Sequence, residues 1–475
     1  MPRAFYERLS PQSTNFLARE GSRTFSHSAV LLVFEPGDLA HESGGVDFDA
    51  IREGIEARLA SVPRARQKLR WIPFENHPVW VDDPDFSLEY HLRHTSLPKP
   101  GSEDQLRKMV SRIHAQRLDR SRPLWECWVL EGLEGGRFAM LWKTHHCMAD
   151  AAAEGDLIEA LLSDEPHPPE PRASSYKPRP MPSAFELVRD EVVRQARIPR
   201  RRLERLERTF RNREWRHDLE LRVRSIAGLL GYSVRPRNET PLSGPAGPHR
   251  RLTRGVIPLE LVQRAHRELD APIHDVLLAV LTGAIRGFLL ERLVNPATID
   301  FRVSAPVTLD TESGYETVGE WIVEMPIWEK DPRARVARIR KQTAELRAAN
   351  PALGAKTLVG LAEWTGSRRL SLGARAVSQR PVDLAVVNLP GPQTPLYFRG
   401  ARLIEGFGIA PLREDHALAV AIMSYDGKLC WALNADFDRL PDVDRFGAML
   451  EAAFEELDAS TRSGAPLVVV KSVEA

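Results

Sequence analysis

The chain has 475 residues, 43% of them apolar, so it is too long for one ordinary core and long enough for two domains of about 200 residues each. Its 66 basic and 65 acidic residues leave a net charge of +1, which excludes a global electrostatic attraction to nucleic acid. The cysteines are odd in number, far apart and embedded in apolar runs, which favours reduced thiols of a cytosolic protein over a disulfide framework or a zinc site; they are Cys127, Cys147 and Cys430.

The beginning of the chain has no apolar targeting segment, and no run approaches the roughly 18 apolar residues of a membrane span. We therefore expect a cytoplasmic protein without transmembrane helices. Neither a nucleic acid partner nor a metal ion is expected from these totals.

The first part of the chain, to about Leu162, alternates two kinds of pattern. Strand-like runs cover 28–34, 125–130 and 138–144, and helical patterns cover 49–59 and 103–117. This alternation predicts an α/β layered domain.

The stretch 138–162 joins a strand to a helix, and two adjacent histidines mark the join. The strand is indicated by large apolar side chains at every second position, namely Phe138, Met140 and Trp142. If the strand continues through His145 and His146, their imidazoles point to opposite faces, and only one can enter a given cavity. Parity then places His146 on the face of the large apolar residues and His145 on the other.

Asp150 follows His146 by four positions and stands where a helix N-cap would stand. The residues after it have helical spacing of apolar side chains, at Leu157, Ile158, Leu161 and Leu162. The sequence therefore predicts a strand-to-helix turn that carries histidine and aspartate.

Closely spaced prolines in 163–182 interrupt both helix and sheet pairing, so this stretch is predicted to be a linker or crossover. It leads to a helix-prone segment, 184–230, whose centre is dense in arginine with interleaved apolar residues. Two interpretations stay open: a solvated helix face, or a basic amphipathic surface that meets anionic lipid or the phosphates of a cofactor.

After a second break at 241–252, helices and strands alternate again. The pattern 271–293 is apolar on nearly all sides, which predicts a buried helix, and 332–349 is an arginine-rich helix. Strands are predicted at 298–307, 322–327, 384–388, 417–425 and 429–434. The last ten residues are compatible with a final strand or with an ordered tail.

The paired histidines suggest acid–base chemistry. An imidazole near a hydroxyl can take its proton as the oxygen attacks a carbonyl, because imidazole titrates near neutrality. Attack on a thioester also needs a donor for the developing oxyanion and a cavity that excludes water. From the residues alone, His145, His146 and Asp150 are as compatible with a structural role as with a catalytic one.

The sequence around these residues resembles a known group of enzymes. THHCMADA (144–151) is similar to the HHxxxDG motif of coenzyme A-dependent acyltransferases related to chloramphenicol acetyltransferase and to peptide-synthetase condensation domains. SRPLWECWVLEGLEGG resembles the Pro-Leu-Trp block of the bacterial bifunctional wax ester synthase/diacylglycerol acyltransferase family. Further blocks agree in order from about Leu9 to Glu456, among them LSPQSTNFL, HDVLLAVLTGAIR, RVSAPVTLD and VVNLPGPQTPLYFRGARL.

The resemblance implies an α/β fold of two chloramphenicol-acetyltransferase-like domains, each a mixed β-sheet with packed helices, and an active-site tunnel between them. It divides the chain into an N-terminal acyltransferase domain (1–162), a Pro-rich linker and basic helical crossover (163–250) and a C-terminal acyltransferase-like domain (251–475). The implied reaction transfers a long-chain fatty acyl group from acyl-CoA to diacylglycerol or a long-chain alcohol, with no permanently bound cofactor. Such hydrophobic substrates imply peripheral contact with a membrane or lipid droplet surface.

The resemblance also implies roles for the residues of the motif. His146 is the general base that deprotonates the acceptor hydroxyl, and His145 is a supporting residue. Asp150 holds the geometry of the site through an arginine.

Two further groups of residues are implied to shape the pocket. Pro123, Leu124 and Trp125 line it or pack beneath the motif, with plain core packing as the alternative for Trp125. Asn388 lines the site from the second domain, or else caps the turn that follows it.

The chain departs from the family's pattern at four places. Ala151 replaces a glycine, His274–Asp275 replaces Asn-Asp, Asp310 stands where a basic residue is usual, and Gly319–Glu320 replaces Gly-Asn. Ala151, Asp310 and Glu320, together with the arginine-rich helix, motivate one alternative, a catalytically weak paralogue that acts as a lipid-binding or lipid-droplet surface protein. A second alternative is an acyltransferase of the superfamily with a different acceptor.

Overall fold

A computed structural model describes residues 5–41, 45–148, 158–169, 176–196, 238–309, 317–349 and 382–462. The strands in these residues are β1 (Glu7–Arg8), β2 (His27–Glu35), β3 (Gln67–Trp71), β4 (Pro78–Asp82), β5 (Leu92–Ser96), β6 (Trp125–Glu131), β7 (Phe138–His145), β8 (Arg250–Pro258), β9 (Arg302–Leu309), β10 (Thr317–Glu324), β11 (Leu384–Leu389), β12 (Tyr397–Phe398), β13 (Ala401–Ile409), β14 (Leu418–Tyr425) and β15 (Lys428–Asp436). The helices are α1 (Pro11–Ala18), α2 (Phe48–Leu59), α3 (Leu88–His91), α4 (Glu103–Ala115), α5 (184–196), α6 (Leu259–Leu269), α7 (Ile273–Glu291), α8 (Pro332–Ala349) and α9 (Val443–Arg462).

The first six-stranded sheet, called the N-sheet, has the strand order β12-β13-β2-β7-β6-β5. Alternate side chains of its central strand β7 enter two different cores, as the period of two predicts. Met140 and Trp142 pack in the core that contains Ile55 of α2, whereas Leu141 packs in the core that contains Val110 of α4. The N-sheet is therefore a layer covered on both faces.

Two strands of the N-sheet come from the second half of the sequence. β13 pairs antiparallel with β2, and β12 pairs antiparallel with β13. Without β13, the backbone donors and acceptors on that side of β2 would be unpaired. The N-sheet is thus complete only when residues 397–409 are in place. The predicted domain limits of 1–162, 163–250 and 251–475 stay a prediction.

The second six-stranded sheet, the C-sheet, has the order β10-β9-β11-β14-β15-β8. β11 runs parallel to β9 and β14, and the other pairs are antiparallel. α7 packs with the residues of this sheet, α8 and α9 in one core. α7 is long and apolar enough to cross a bilayer, but 67% of its apolar window is buried inside the protein. The predicted buried helix is confirmed.

A smaller sheet has the order β1-β4-β3. Leu187 of α5 packs in a separate small core with Ile72, Val79 and Val81. This contact anchors the start of the helix-prone segment predicted at 184–230. Residues 197–237, which include most of its arginine-rich centre, lie outside the described residues.

The N-sheet and C-sheet meet through a shared apolar core. Leu31 and Leu141 of the N-sheet lie in one cluster with Leu252 and Ala432 of the C-sheet, and Phe407 of β13 joins them. The strand that completes the N-sheet therefore also packs against the C-sheet.

Polar side chains are buried at the edge of this shared core. The Asn434 amide nitrogen of β15 donates to the Ala410 carbonyl oxygen at 2.8 Å and lies 3.2 Å from His114 Nε2 of α4. Lys143 of β7 is wholly buried, and its ammonium group donates to the carbonyl oxygens of Ile113 (3.0 Å) and Gln116. These carbonyls lie at the C-terminal end of α4, where a positive charge is favourable.

The predicted fold class, two α/β domains with mixed sheets and packed helices, is confirmed. Several element limits differ: β9 begins at Arg302 because Pro296–Thr298 form a 3₁₀ turn, and β10 ends at Glu324, before Pro326. α9 was not predicted. The three cysteines are buried and form no disulfide. The last ten residues and the residues 149–157 and 350–381 lie outside the described part, so the tunnel stays a prediction.

Burial of His114 makes stability depend on pH. Burial, together with the charges of Lys143 and Arg250, lowers the pKa of His114 from 6.5 to about 3. As pH falls below 6.5, His114 becomes protonated in the unfolded chain but stays neutral in the folded protein. The unfolding free energy therefore decreases as the pH falls from 6.5 to the folded-state pKa of about 3. His114→Gln should remove on the order of 2 kcal/mol of the loss in unfolding free energy between pH 7 and pH 5.

Urea unfolding followed by circular dichroism at the two pH values measures this loss. His167→Gln is the matched control, because the His167 side chain is 71% exposed and should leave the loss unchanged. An equal loss in the wild type and in His114→Gln would contradict the assignment.

Candidate active site

The predicted junction is a strand that turns at its second histidine. β7 ends at His145, and His146 begins a 3₁₀ turn that continues to Met148. The His145 N–H donates to the Leu124 carbonyl oxygen at 3.0 Å, and the His146 N–H donates to the Ser26 carbonyl oxygen at 2.8 Å. The paired part of β7 ends where its partner β2 begins, with His27 opposite His145. The turn is therefore held by backbone bonds from two other segments.

Both ring nitrogens of His145 are engaged. Nε2 lies 2.8 Å from Oε1 of Glu20, and Nδ1 accepts a hydrogen bond from the Cys147 N–H at 3.0 Å. Because Nδ1 is an acceptor, the proton of the neutral ring is on Nε2 and is donated to the carboxylate. The side chains of His145 and Glu20 are each 1% exposed. His145 is thus fixed in one orientation and one tautomer.

The Glu20 carboxylate is held by several donors. Its Oε1 also accepts from the Ser26 N–H at 2.9 Å, its Oε2 is paired with Arg120, and Arg117 lies 4.0 Å away. Burial alone would raise the pKa of Glu20, but the bonds from His145, Arg120 and Ser26 lower it to about 2. The group is therefore a buried anion whose charge is compensated.

His27 completes the buried cluster. Its ring meets that of His145 edge to face with centroids 5.6 Å apart, and its Nε2 lies 3.9 Å from Oε1 of Glu20. Burial, together with the charge of Lys143, holds the pKa of His27 well below its ordinary value. The His27 ring is therefore neutral at physiological pH.

Glu20, His27 and His145 are residue types that bind metal ions, and their ligand atoms lie within 4.8 Å of one another. The carboxylate is already paired with Arg120, and Lys143 adds a further positive charge near His27. These positive charges would repel a divalent cation bound at this position. The cluster is better described as a hydrogen-bonded support for the turn.

His146 faces a different neighbour. Its half-buried ring lies against Phe16 of α1, with centroids 4.9 Å apart. The two imidazoles have different neighbours, and because His146 has already left the strand, the predicted alternation does not apply to it. Asp150 and Ala151 lie outside the described residues, so the role of Asp150 stays a prediction.

The predicted pocket residues at the start of β6 lie beneath the turn. Pro123, Leu124 and Trp125 are all buried. The Trp125 ring stacks on His91 at 4.6 Å and on Trp142 at 5.6 Å, and its Nε1–H donates to the Ala65 carbonyl oxygen at 2.7 Å. These contacts favour the core-packing alternative for Trp125.

Asn388 lies half-buried near the end of β11. The turn after it is capped by another residue, since the Gly391 N–H donates to Ser424 Oγ at 3.1 Å. A Cβ at Gly391 would lie 2.2 Å from the Ser424 carbonyl oxygen, so this position requires glycine for close backbone approach. Among the described contacts Asn388 does not act as the cap, and its place in the site stays a prediction.

One departure from the family's pattern has a local partner. The Glu320 carboxylate of β10 is paired with Arg413 and accepts a hydrogen bond from the Ser304 hydroxyl. The acidic charge at this position is therefore compensated within the fold. Asp310 lies outside the described residues.

Sequence reasoning missed the residues that support His145, namely Glu20, Ser26, His27 and Arg120. Glu20 precedes His145 by 125 positions, and no local spacing connects them. The block LSPQSTNFL, which ends three residues before Glu20, resembles the family's pattern but does not itself include Glu20. A charged residue directly after an amphipathic helix is ordinary on a surface, so its burial could not be anticipated.

Comparisons with known proteins support the resemblance. Residues 9–277 match the wax ester synthase/diacylglycerol acyltransferase catalytic domain, and residues 317–458 match the WS/DGAT C-terminal domain. The probable diacyglycerol O-acyltransferase tgs1 of Mycobacterium tuberculosis is 30% identical over 440 residues, covering 89% of this chain and 90% of that protein. A putative diacyglycerol O-acyltransferase of the same species is 29% identical over 458 residues, covering 93% and 88%.

Solved structures show the same fold. The wax ester synthase/diacylglycerol acyltransferase from Marinobacter aquaeolei VT8 has a TM-score of 0.68 at 21% identity, covering 96% of this chain and 100% of that chain. The first condensation domain of the calcium-dependent antibiotic synthetase has a TM-score of 0.59 at 14% identity, covering 98% and 100%.

Replacing Trp125 by phenylalanine tests the contribution of its buried hydrogen bond to stability. Trp125→Phe leaves the Ala65 carbonyl oxygen without its donor in a buried position, which should lower the unfolding free energy by about 1–3 kcal/mol. Urea unfolding followed by circular dichroism measures the loss. Trp128→Phe is the control, because the Trp128 Nε1–H donates to Glu126 in a partly exposed position and should cost less. Equal losses would contradict the burial argument.

Proposed function

The chain belongs to the wax ester synthase/diacylglycerol acyltransferase family, and we propose that it transfers a long-chain fatty acyl group from acyl-CoA to diacylglycerol, with His146 as the general base. The observation that carries the proposal is the family match across both halves of the chain together with the supported turn that presents His146. Long-chain alcohols are the second acceptor class, which would give wax esters.

In the proposed reaction, an imidazole nitrogen of His146 takes the proton of the acceptor hydroxyl. The hydroxyl oxygen then attacks the thioester carbonyl, and the carbon–sulfur bond breaks as the tetrahedral intermediate collapses. The new ester is released, and the CoA sulfur takes the proton that His146 carries. The reaction needs no covalent intermediate with the protein.

The contacts of the two histidines support this assignment. Both nitrogens of His145 are engaged by Glu20 and Cys147 inside the protein, so His145 has no nitrogen to offer a substrate. His146 has a half-buried ring at the start of a turn, beside α1. A base that is partly shielded from water and held by a backbone bond is suited to proton transfer.

The alternative functions remain distinguishable by experiment. A lipid-binding paralogue with weak catalysis was motivated by the acidic departures, but Glu320 is paired with Arg413 and so places no uncompensated charge in the fold. An acyltransferase with a different acceptor would share the base and differ in its product. Labelled palmitoyl-CoA with diacylglycerol, hexadecanol and a long-chain amine, each assayed by thin-layer chromatography, separates these functions.

His146→Ala should lower the rate of ester formation at least about 100-fold, because general-base catalysis contributes about that much or more. The labelled palmitoyl-CoA assay with diacylglycerol measures the rate, and circular dichroism checks that the variant is folded. His167→Ala, which removes an exposed histidine, is the control and should retain full activity. Full activity in a folded His146→Ala protein would overturn the assignment.

We also propose that the protein works in the cytoplasm at the surface of a membrane or lipid droplet, where its hydrophobic substrates reside. Apolar side chains are exposed on α5 and on the neighbouring turn between β3 and β4: Phe74 is 94% exposed, Phe185 75% and Val192 62%. Phe185 and Val192 are two helical turns apart and so share a face of α5. Exposed apolar groups of this kind favour insertion at a lipid interface.

The turn and α5 are tied together. Arg8 and Arg194 both pair with Glu75, and both also pair with Glu191 of α5. The sequence continues from Arg194 into its arginine-rich stretch, and each basic residue near an anionic bilayer contributes about 1 kcal/mol. Apolar and basic residues on one part of the chain support lipid contact there.

Phe74→Ser combined with Phe185→Ser should raise the lipid concentration for half-maximal binding about tenfold, since partial burial of two aromatic rings is lost. Sedimentation with vesicles of phosphatidylcholine and phosphatidylglycerol measures the binding. Leu293→Ser is the matched control, because Leu293 is 96% exposed on the other half of the chain. Unchanged binding in the double variant would remove this face from the lipid contact.

A further inference from the structure

We propose that Glu20 is a positioning residue of the acyltransferase, which fixes His145 in one tautomer and, through the loop 20–26, holds the turn that carries His146. This inference rests on the proposed function of His146. It concerns a carboxylate that lies outside the HHxxxDG motif and is bonded to the supporting histidine of the pair.

The first step is the tautomer of His145. The Cys147 N–H points at Nδ1 from 3.0 Å, so a proton on Nδ1 would face another donor. The only arrangement that satisfies both ring nitrogens places the proton on Nε2, where Glu20 Oε1 accepts it at 2.8 Å. Glu20 thereby selects the ring state that also ties His145 to the backbone one residue beyond His146.

The second step is that Glu20 is itself immobile. Its side chain is 1% exposed, and the Ser26 N–H, the His145 ring and Arg120 all donate to its two oxygens. A buried carboxylate with this many donors stays ionised and has one orientation. Because Glu20 has one position, its hydrogen bond also fixes the position of the His145 ring.

The third step connects the same loop to His146. Ser26 donates its N–H to Glu20 and accepts the His146 N–H at its carbonyl oxygen. The Ser26 hydroxyl donates to the Phe16 carbonyl oxygen at 3.0 Å, and the Phe16 ring packs on the His146 ring. The loop therefore fixes the backbone of His146 as well as the wall against which its ring lies.

Glu20→Gln separates charge from shape. The amide can offer one oxygen and one NH2 group, so whichever way it turns, NH2 faces a donor: the Arg120 guanidinium on one side, or the Ser26 N–H and His145 Nε2–H on the other. At least one of the three contacts must break. If the NH2 group faces Nε2, the His145 ring loses its acceptor and must rotate or change its tautomer. If the NH2 group faces Arg120 instead, the ring keeps an acceptor, but a neutral amide oxygen holds it less strongly than a carboxylate does, and the turn loosens.

The expected result is a fall in kcat of about 10- to 100-fold with little change in KM for acyl-CoA, as for supporting residues one step behind a reacting group. Glu20→Asp, which keeps the charge, should recover part of kcat. A residue needed only for folding would instead lower the amount of active protein and leave kcat per folded molecule unchanged.

A double variant tests whether Glu20 acts through His145. His145→Gln alone should lower kcat, and adding Glu20→Gln to it should produce little further loss, because the two residues form one unit. Independent, multiplying losses would overturn the proposed connection. The test compares the loss of kcat in the double variant with the product of the losses in the two single variants.

Glu131→Gln is the matched control, because Glu131 forms a second Glu–His pair, with His94 at 3.4 Å, in a more exposed position away from the turn. It should keep full kcat. If Glu20→Gln is folded and as active as wild type while His146→Ala is inactive, the inference fails and the proposed function stands. If His146→Ala is fully active, the proposed function fails first.

Discussion

The hydrogen bond between the buried carboxylate of Glu20 and His145 organises the region around the histidine pair. An ionised carboxylate away from water is costly unless donors surround it, and here a guanidinium, a backbone N–H and an imidazole N–H all point at it. Through these contacts, α1 and the loop that follows it pack against the end of β7. Because both ring nitrogens of His145 are engaged in this region, the proposed function assigns the role of general base to His146.

A second constraint is that the N-sheet cannot be completed by the first half of the chain alone. β13 completes the N-sheet, and the same strand contributes Phe407 to the core shared with the C-sheet. Asn434 and His114 add a polar contact across this boundary. The polar groups buried at this boundary are paired with each other, which offsets the cost of removing them from water. The framework of this family's chemistry therefore includes an N-sheet that depends on a strand from the second half of the chain.

The departures from the family's pattern look different once they are placed in the fold. Glu320 would be an unexplained negative charge in the sequence, yet Arg413, in the loop between β13 and β14, compensates it. Gly391, in contrast, is retained because a Cβ there would collide with the backbone of Ser424. Charge can be compensated by a distant partner, whereas a backbone collision has no such remedy.

Local pattern determined much of this protein. The period of two in 138–144, the all-round apolar pattern of α7 and the arginine-rich pattern of α8 are set by neighbours along the chain, and each became the predicted element. The motif at 144–151 and the family's other blocks indicated the fold and the chemistry. Tertiary structure alone decided that Glu20 meets His145, that β13 joins the N-sheet and that Trp125 stacks between His91 and Trp142. These contacts join residues far apart in sequence, and burial of a charge or pairing of a strand depends on what the rest of the chain places beside it.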